Sequence, residues 1–275
     1  MKCPLTPAGK KVNPELYHPS LRCAMLRSRY SHKVREAIVS MLVNSLENML
    51  FLNWVRDGRF ASYIEKSGLP RRSVELYCGE SLVIVVDPKE ITHHASMVDS
   101  FESKSQGKRA RSQFIWAGDW DLKTIDFRSV NRYPFIEDIW GHRDDLSKSI
   151  AYGDLSKKLQ SGKPLRSYQK GVFLDAPEKI MTYLGRYVGY MKNMQENSFD
   201  GSLGKDALAV AVGRDGQLLK LNRGLHRLAM AKVLGLESIV VRIKAVHYGW
   251  WSEVTEDVVG NGEKLDSMLV GLDRQ

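Results

Sequence analysis

Apolar residues recur at helical spacing from Ser31 to Arg56. Ile38, Leu42, Leu46, Met49, Leu50 and Val55 share one broad face, and Ser31 stands where an N-cap belongs. The spacing predicts one helix there and a second, short one over Ala61–Ser67, stopped by Gly68-Leu69-Pro70. Residues 1–30, with Pro4, Pro7, Pro14 and Pro19, read as an irregular arm. From Glu80 the pattern changes. Ser81–Val86 is a β-branched apolar run, predicted to be a buried strand that ends at Asp87-Pro88. Residues 99–113 are polar and read as a loop, and Phe114–Trp116 reads as a short strand. Periodicity is weak over 127–170, with helical pieces expected near Phe135–Trp140 and Asp144–Gln160. Asp175, Pro177 and Glu178 then form a helix start with a capping box. Ile180, Leu184, Tyr187, Val188 and Met191 continue it at a 3.6-residue period.

The C-terminal part has the clearest pattern. Ala207–Val212 reads as a buried strand, Gly213-Arg214-Asp215-Gly216 as a hairpin turn, and Gln217–Leu221 as the return strand. A short glycine-containing loop, Asn222 to Arg227, leads into a helix marked by Leu225, Leu228, Ala231 and Leu234 and ended by Gly235. Ile239, Val241, Ile243 and Ala245 alternate as the next strand. After Val259 the chain is glycine-rich and then weakly helical. Strands that alternate with helices put the protein in the α/β class.

Charge changes this picture in one place. Of 275 residues 43% are hydrophobic and 27% charged, an ordinary globular balance, yet the net charge is +9. Residues 1–72 hold 13 basic and 5 acidic side chains, residues 73–200 hold 18 of each, and residues 201–275 hold 10 and 9. The excess therefore belongs to the first quarter, which argues against a uniformly DNA-coating surface. Arg22, Arg27, Arg29, Lys33 and Arg35 cluster at or before the first helix. Three readings of that helix follow: packing on the core or another subunit, lying on an anionic membrane surface, or acting as a nucleic-acid arm. No aromatic residues interleave the basic ones as in a single-strand binder. Three cysteines, Cys3, Cys23 and Cys78, lack metal or disulfide spacing and fit a reducing cytoplasm. No signal-peptide pattern opens the chain, and the most apolar stretch, Ala37–Val55, is too polar for a membrane span. A peripheral position at the membrane stays open.

Candidate chemistry centres on Asn222-Arg223-Gly224-Leu225-His226-Arg227. A glycine before a helix start lets a ligand approach the backbone. The first-turn amides point outward without intrahelical acceptors, and the helix dipole favours an anion there. Arg227 can grip phosphate oxygens in a bidentate way. The competing reading is that His226 and Arg227 only cap neighbouring strands.

The stretch from Gly213 to Ile243 resembles the signature of the ParB/sulfiredoxin superfamily, with the match falling on Gly224, His226 and Arg227. The resemblance implies that this loop binds nucleotide phosphates. Where the family often has Asp or Gly, this chain has Arg223, which argues against an acidic metal contact at that position. Leu225 occupies the place of the sulfiredoxin cysteine, which excludes that chemistry. Only about 30 residues follow the last strand, too few for the helix-turn-helix domain of chromosome-partitioning members, so DNA is the lesser partner. The loop is closer to the serine-kinase branch. Val86-Asp87-Pro88-Lys89-Glu90-Ile91, Gly118-Asp119-Trp120-Asp121, Leu174-Asp175, Gly189-Tyr190 and Val246–Trp250 also resemble a ParB-like branch often found beside polysaccharide-synthesis genes.

Other residues carry two readings each. Asp119 and Asp121, two apart in an extended segment, can hold Mg²⁺ or act as a base on an acceptor hydroxyl; otherwise Asp119 is a turn residue and Trp120 is core. Glu90 resembles the catalytic base of the serine-kinase branch. His93 and His94 are adjacent and do not suit one metal ion. Asp144-Asp145 reads as a helix start. His247 follows a strand and either approaches the loop or packs, and Trp250 and Trp251 read as core.

Together these lead to an expected architecture and activity. A basic, mainly helical region over 1–72 precedes a ParB/sulfiredoxin-like mixed-sheet domain over 73–275, with a long insertion about 93–170. The expected activity is nucleotide-dependent phosphotransfer. ATP or another nucleoside triphosphate with Mg²⁺ would sit on Asn222–Arg227, and Asp119, Asp121 or Glu90 would serve metal or acceptor. The acceptor would be a small hydroxyl compound or a glycan. The alternatives are a nucleotide-binding regulatory protein without turnover, or a ParB-like DNA-binding protein or nuclease.

Overall fold

The computed structural model describes residues 15–38, 44–96, 99–168, 171–201 and 207–273. In chain order the helices are α1 (Arg22–Ile38), α2 (Asn44–Val55), α3 (Ala61–Lys66), α4 (Arg71–Cys78), α5 (Lys104–Ala110), α6 (Arg132–Gly141), α7 (Ile150–Gln160), α8 (Pro177–Asn197), α9 (Leu225–Leu234), α10 (Tyr248–Val254) and α11 (Asn261–Leu272). The strands are β1 (Val83–Val86), β2 (His93–His94), β3 (Ile115–Trp116), β4 (Ile125–Asp126), β5 (Arg166–Ser167), β6 (Val172–Phe173), β7 (Ala209–Val212), β8 (Leu218–Lys220) and β9 (Ile239–His247). The protein is mixed α/β. Its main sheet runs β1-β9-β7-β8-β2-β4, with β3 also on β9, and combines parallel and antiparallel pairs.

The chain divides into two compact units: residues Met1–Met41 with Phe135–Asn193, and residues Leu42–Pro134 with Met194–Gln275. In the first, Ile136, Ile139, Leu155, Ile180, Leu184, Val188 and Met191 are buried from α6, α7 and α8, and Met25 from α1. Asp138 of α6 accepts from the N–H groups of Ile150 and Ala151 at 3.1 and 2.8 Å, so one helix caps the orphan donors of the next. Helix α8 starts at Pro177, in line with the expected start, but the cap position falls on Ala176, and Asp175, expected as the N-cap, takes Lys179 Nζ at 2.6 Å instead.

The second unit holds the main sheet. Antiparallel β7 and β8 form the hairpin expected around Gly213–Gly216. The chain then crosses through α9 to β9, which pairs parallel with β7, as a parallel pair requires. Inward residues Ile239, Val241, Ile243 and Ala245 of β9 follow the predicted alternation, and every residue of β7 is buried. Leu228, Ala229, Met230 and Ala231 of α9 are buried too. On the sheet a cluster of Ala209, Ala211, Leu219, Leu221 and Ala245 packs with Trp116 and Trp120. Those small residues let the indoles approach the strands.

Several elements differ from expectation, each for a physical reason. The boundary expected at residue 72 does not coincide with the division, because α2, α3 and α4 group with the sheet. Glu65 explains this: it accepts from the indole N–H groups of Trp54 (3.2 Å) and Trp251 (2.9 Å) and from Lys264 (3.0 Å), tying α2, α3, α10 and α11 together. The expected insertion of about 93–170 is likewise split, since residues from Phe135 onward join the N-terminal segment. The helix expected over 31–56 is described as two, and residues 39–43, with the expected face position Leu42, lie outside the described residues. Helix α1 starts at Arg22, so Ser31 is mid-helix and its hydroxyl donates back to the Ser28 carbonyl. Leu46, Met49 and Leu50 of the expected apolar face are exposed, while Phe51 and Trp54 are fully buried. The polar residues Asn44, Ser45, Glu47, Asn48 and Asn53 of α2 do not define one polar face, and the larger aromatic area decides its rotation.

The run 81–86, read as buried, becomes β1 at the sheet edge, with Val85 68% exposed. Residues 99–113 contain α5, started by a capping box in which Ser103 and Gln106 satisfy each other's backbone N–H groups. Gly68, expected as a helix stop, has a second duty. Its carbonyl accepts from the N–H groups of Phe114 and Ile115, and a Cβ would come within 2.6 Å of the Ile115 oxygen. No described helix is long and apolar enough to cross a membrane.

Candidate functional site

The β7–β8 hairpin carries charge at both ends. At its loop end Lys220 closes β8 with a side chain wholly withdrawn from solvent. Its ammonium donates to the carbonyls of Ala209 (2.8 Å), Leu221 (2.6 Å) and Arg223. Three acceptors match the three hydrogens of the protonated form. Burial pushes the Lys220 ammonium well below the ordinary lysine range, and the charge of Arg227 acts in the same direction. Among the described residues no carboxylate pairs with it. Lys220 thus braces the strand β7 and the loop from behind.

In front of it, Asn222 Oδ1 accepts from His94 Nε2 at 2.9 Å. His94 is buried, which lowers its imidazole below the ordinary value while the bond to Asn222 offsets part of that. With Nε2 donating, Nδ1 of His94 is an acceptor, and it has no partner among the described residues. Gly224 follows at φ +86°, the left-handed region, and a Cβ there would meet Leu208 Cα at 3.2 Å. Glycine is required both for the turn and for the close approach. Among the described residues no side chain caps α9, so none of them closes off the N-terminal donors of this ten-residue helix with a hydroxyl or carboxylate. Leu225, His226 and Arg227 are half-buried, whereas Asn222 and Arg223 are exposed. Arg227 lies over the ring of Phe199 at 5.9 Å and reaches the Gly201 carbonyl at 3.5 Å.

At the turn end the charge is closed on itself. Arg214 donates from its backbone N–H and Nε to Asp121 Oδ2, both at 2.9 Å. Its remaining arm reaches Asp121 Oδ1 at 2.8 Å and Asp119 Oδ1 at 2.7 Å. The Asp121 side chain is fully buried and that of Asp119 is 63% exposed. Burial alone would raise the Asp121 carboxyl, but Arg214 and the nearby His247 outweigh it, and the net direction is down. His247 Nε2 donates to the Gly118 carbonyl at 2.9 Å, which places it here and not at the loop. Trp120, between the two aspartates, is core.

The predicted site residues therefore fall into three places. Asn222 to Arg227 stay together at the loop end. Asp119 and Asp121 sit on Arg214 beyond the other end of β8, roughly 10 Å away along a three-residue strand. Glu90 lies exposed in the turn after β1, beside the C-terminal half of α9, where Lys232 Nζ reaches the Lys89 carbonyl at 3.4 Å. The residues present do not suit Mg²⁺. Both oxygens of Asp121 are taken by Arg214, and among the described residues no three His, Cys, Asp or Glu side chains gather to hold an ion. Sequence reasoning missed Lys220, His94 and Arg214 as the organising groups. The available signal for Lys220 was a lysine inside the otherwise apolar run Leu218–Leu221. Comparison with protein-family profiles, curated proteins and solved structures gives no match.

Proposed function

We propose that the protein binds a nucleotide by its phosphates at Asn222–Arg227. One observation carries this reading: α9 opens on Gly224 in the left-handed conformation with no side-chain cap from a described residue, beside Arg227 and over a buried lysine. Backbone donors, a helix dipole and an arginine at one point suit an anion. The resemblance to the ParB/sulfiredoxin superfamily supports a nucleotide as the bearer of that anion. Binding without turnover fits better than phosphotransfer by Asp119, Asp121 or Glu90, because these lie away from the loop. A second reading, phosphoryl transfer to a small hydroxyl compound or glycan, is favoured by His94, whose Nδ1 is a buried acceptor next to Asn222.

Thermal unfolding with ATP, ADP, CTP and GTP, with and without Mg²⁺, tests the binding. Ligand at a hundred times its Kd stabilises by about 2.7 kcal/mol. The expected result is a rise for the wild type that is lost in His226→Ala with Arg227→Ala. No rise at millimolar nucleotide defeats the reading. Release of ADP in the presence of a hydroxyl acceptor, lost in His94→Ala and kept in Asp119→Asn, selects the transferase.

A further inference from the structure

A cavity of about 280 Å³ opens beside Gly118–Trp120, between α3, α5 and the chain that follows Trp116. It does not include the Asn222–Arg227 loop. We propose that this cavity is a separate binding site for a small organic anion that carries one flat ring. The proposal is independent of the nucleotide reading.

Charge is the first argument. Lys66, Arg109 and Lys123 stand at the cavity, and none of them forms an ion pair with a described residue. Of the two acids there, Asp119 pairs with Arg214 at 2.7 Å, while Glu102 accepts from the neutral Gln106 amide at 3.2 Å and keeps its charge. The polar groups of the wall are also satisfied within the protein. Gln113 donates to the Ser67 carbonyl, Ser100 to that of Lys123, and the Trp116 indole to those of Ala110 and Gln113. Three cations stand against one carboxylate without a cationic partner, so the balance at the cavity is positive and the complementary ligand is an anion.

Shape is the second. Phe101 is half-buried and stands edge-on to Trp116 with ring centroids 5.5 Å apart, and Trp116 stands edge-on to Trp120 at 5.0 Å. This ladder is fixed from behind by the sheet cluster. Trp116 and Trp120 are themselves buried, so the half-buried Phe101 in front of them is the ring face a ligand ring can reach, with the cations lining the same cavity. The volume sets the size: it lies just below the usual range of about 300–1,000 Å³ for ligand sites. That suits one ring and its charged substituent, and is too small for a nucleoside triphosphate or a polymer.

The test uses the full chain and p-toluenesulfonate, a single ring with a permanent negative charge. The six tryptophans make the indole N–H spectrum a site-resolved reporter. Saturable shifts of the Trp116 and Trp120 signals are expected. Neutral p-toluenesulfonamide and ringless methanesulfonate should each bind at least about tenfold more weakly. Arg109→Glu with Lys123→Glu should weaken the sulfonate about tenfold. Lys66→Gln with Lys123→Gln, which keeps the surface polar and uncharged, serves as the milder second variant and should weaken it severalfold. His226→Ala with Arg227→Ala should leave it unchanged. No saturable shift at about 10 mM overturns the proposal. So does equal binding of the sulfonamide, which would mean adhesion without charge recognition, or equal response to methanesulfonate, which would mean no ring site.

Discussion

The two ends of the β7–β8 hairpin solve the same problem in opposite ways. Each must place a cation in a dry or half-dry setting. At the turn end Arg214 meets two carboxylates, and Asp121 is fully buried beneath it. At the loop end Lys220 meets three backbone carbonyls and no described carboxylate. Neutralised charge holds the turn but leaves little electrostatic pull for a ligand. A lysine held by carbonyls stiffens the loop without bringing a carboxylate to it, so the positive charge of Arg227 is not cancelled by a described acid there. An anion belongs at the second end and not the first, although the first carries the carboxylates that look catalytic in the sequence.

The largest effect is expected from removing the brace. Lys220→Met retains an apolar stem and leaves three buried carbonyls without their donor. Unfolding in urea should report a loss of about 3 kcal/mol, with hydrogen exchange quickened in the loop and in β7. A near-neutral result would mean the carbonyls find other donors and that the two ends do not differ as described.

Arg214→Ala attacks the other end. It strands the Asp121 charge in the interior, and a loss of about 3 kcal/mol is expected. Adding Asp121→Asn should restore a good part of it, since the stranded charge is then gone. The pair also sets a pH dependence. The Asp121 carboxyl is held below its ordinary 3.8, so its contribution is present above that value and fades as pH falls through the lower folded value. The difference in stability between wild type and Asp121→Asn should therefore be full at neutral pH and shrink below about pH 4. A difference that stays constant into strong acid would break the assignment.

How much of this was legible beforehand differs between the two ends for physical reasons. The hairpin, the loop, α9 and the alternation of β9 are local patterns, and the Asp215-Gly216 turn and Gly235 stop mark them without tertiary help. The partnership of Arg214 with Asp121 spans more than ninety residues, so spacing alone reads the two aspartates as a free pair. Lys220 is invisible for another reason: its acceptors are backbone carbonyls, which every sequence has. The exposed face of α2 fails because its polar and apolar residues are mixed around the helix and mark no clear face, and the edge position of β1 fails because a β-branched run does not say how many neighbours it has. The α5 capping box, Ser103 to Gln106, was present in the sequence, masked by the polar composition around it.

A smaller effect is expected at Gly224. Alanine there must adopt φ +86° and approach Leu208 Cα at 3.2 Å, a cost of about 1–2 kcal/mol. Any nucleotide-induced rise in melting temperature should fall with it. Retention of both stability and nucleotide response would show that the loop does not depend on this backbone turn.

The smallest effect sharpens the comparison most. Asp119 and Asp121 meet the same guanidinium, but Asp119 is 63% exposed and water can replace its contact. Asp119→Asn should cost less than about 1 kcal/mol, against the several expected when the buried contact is broken. It should also leave nucleotide stabilisation unchanged, because its carboxylate faces Arg214 and not the loop. A loss of nucleotide response in this variant, with stability intact, would reunite the two ends of the hairpin in one site and return a catalytic role to the exposed aspartate.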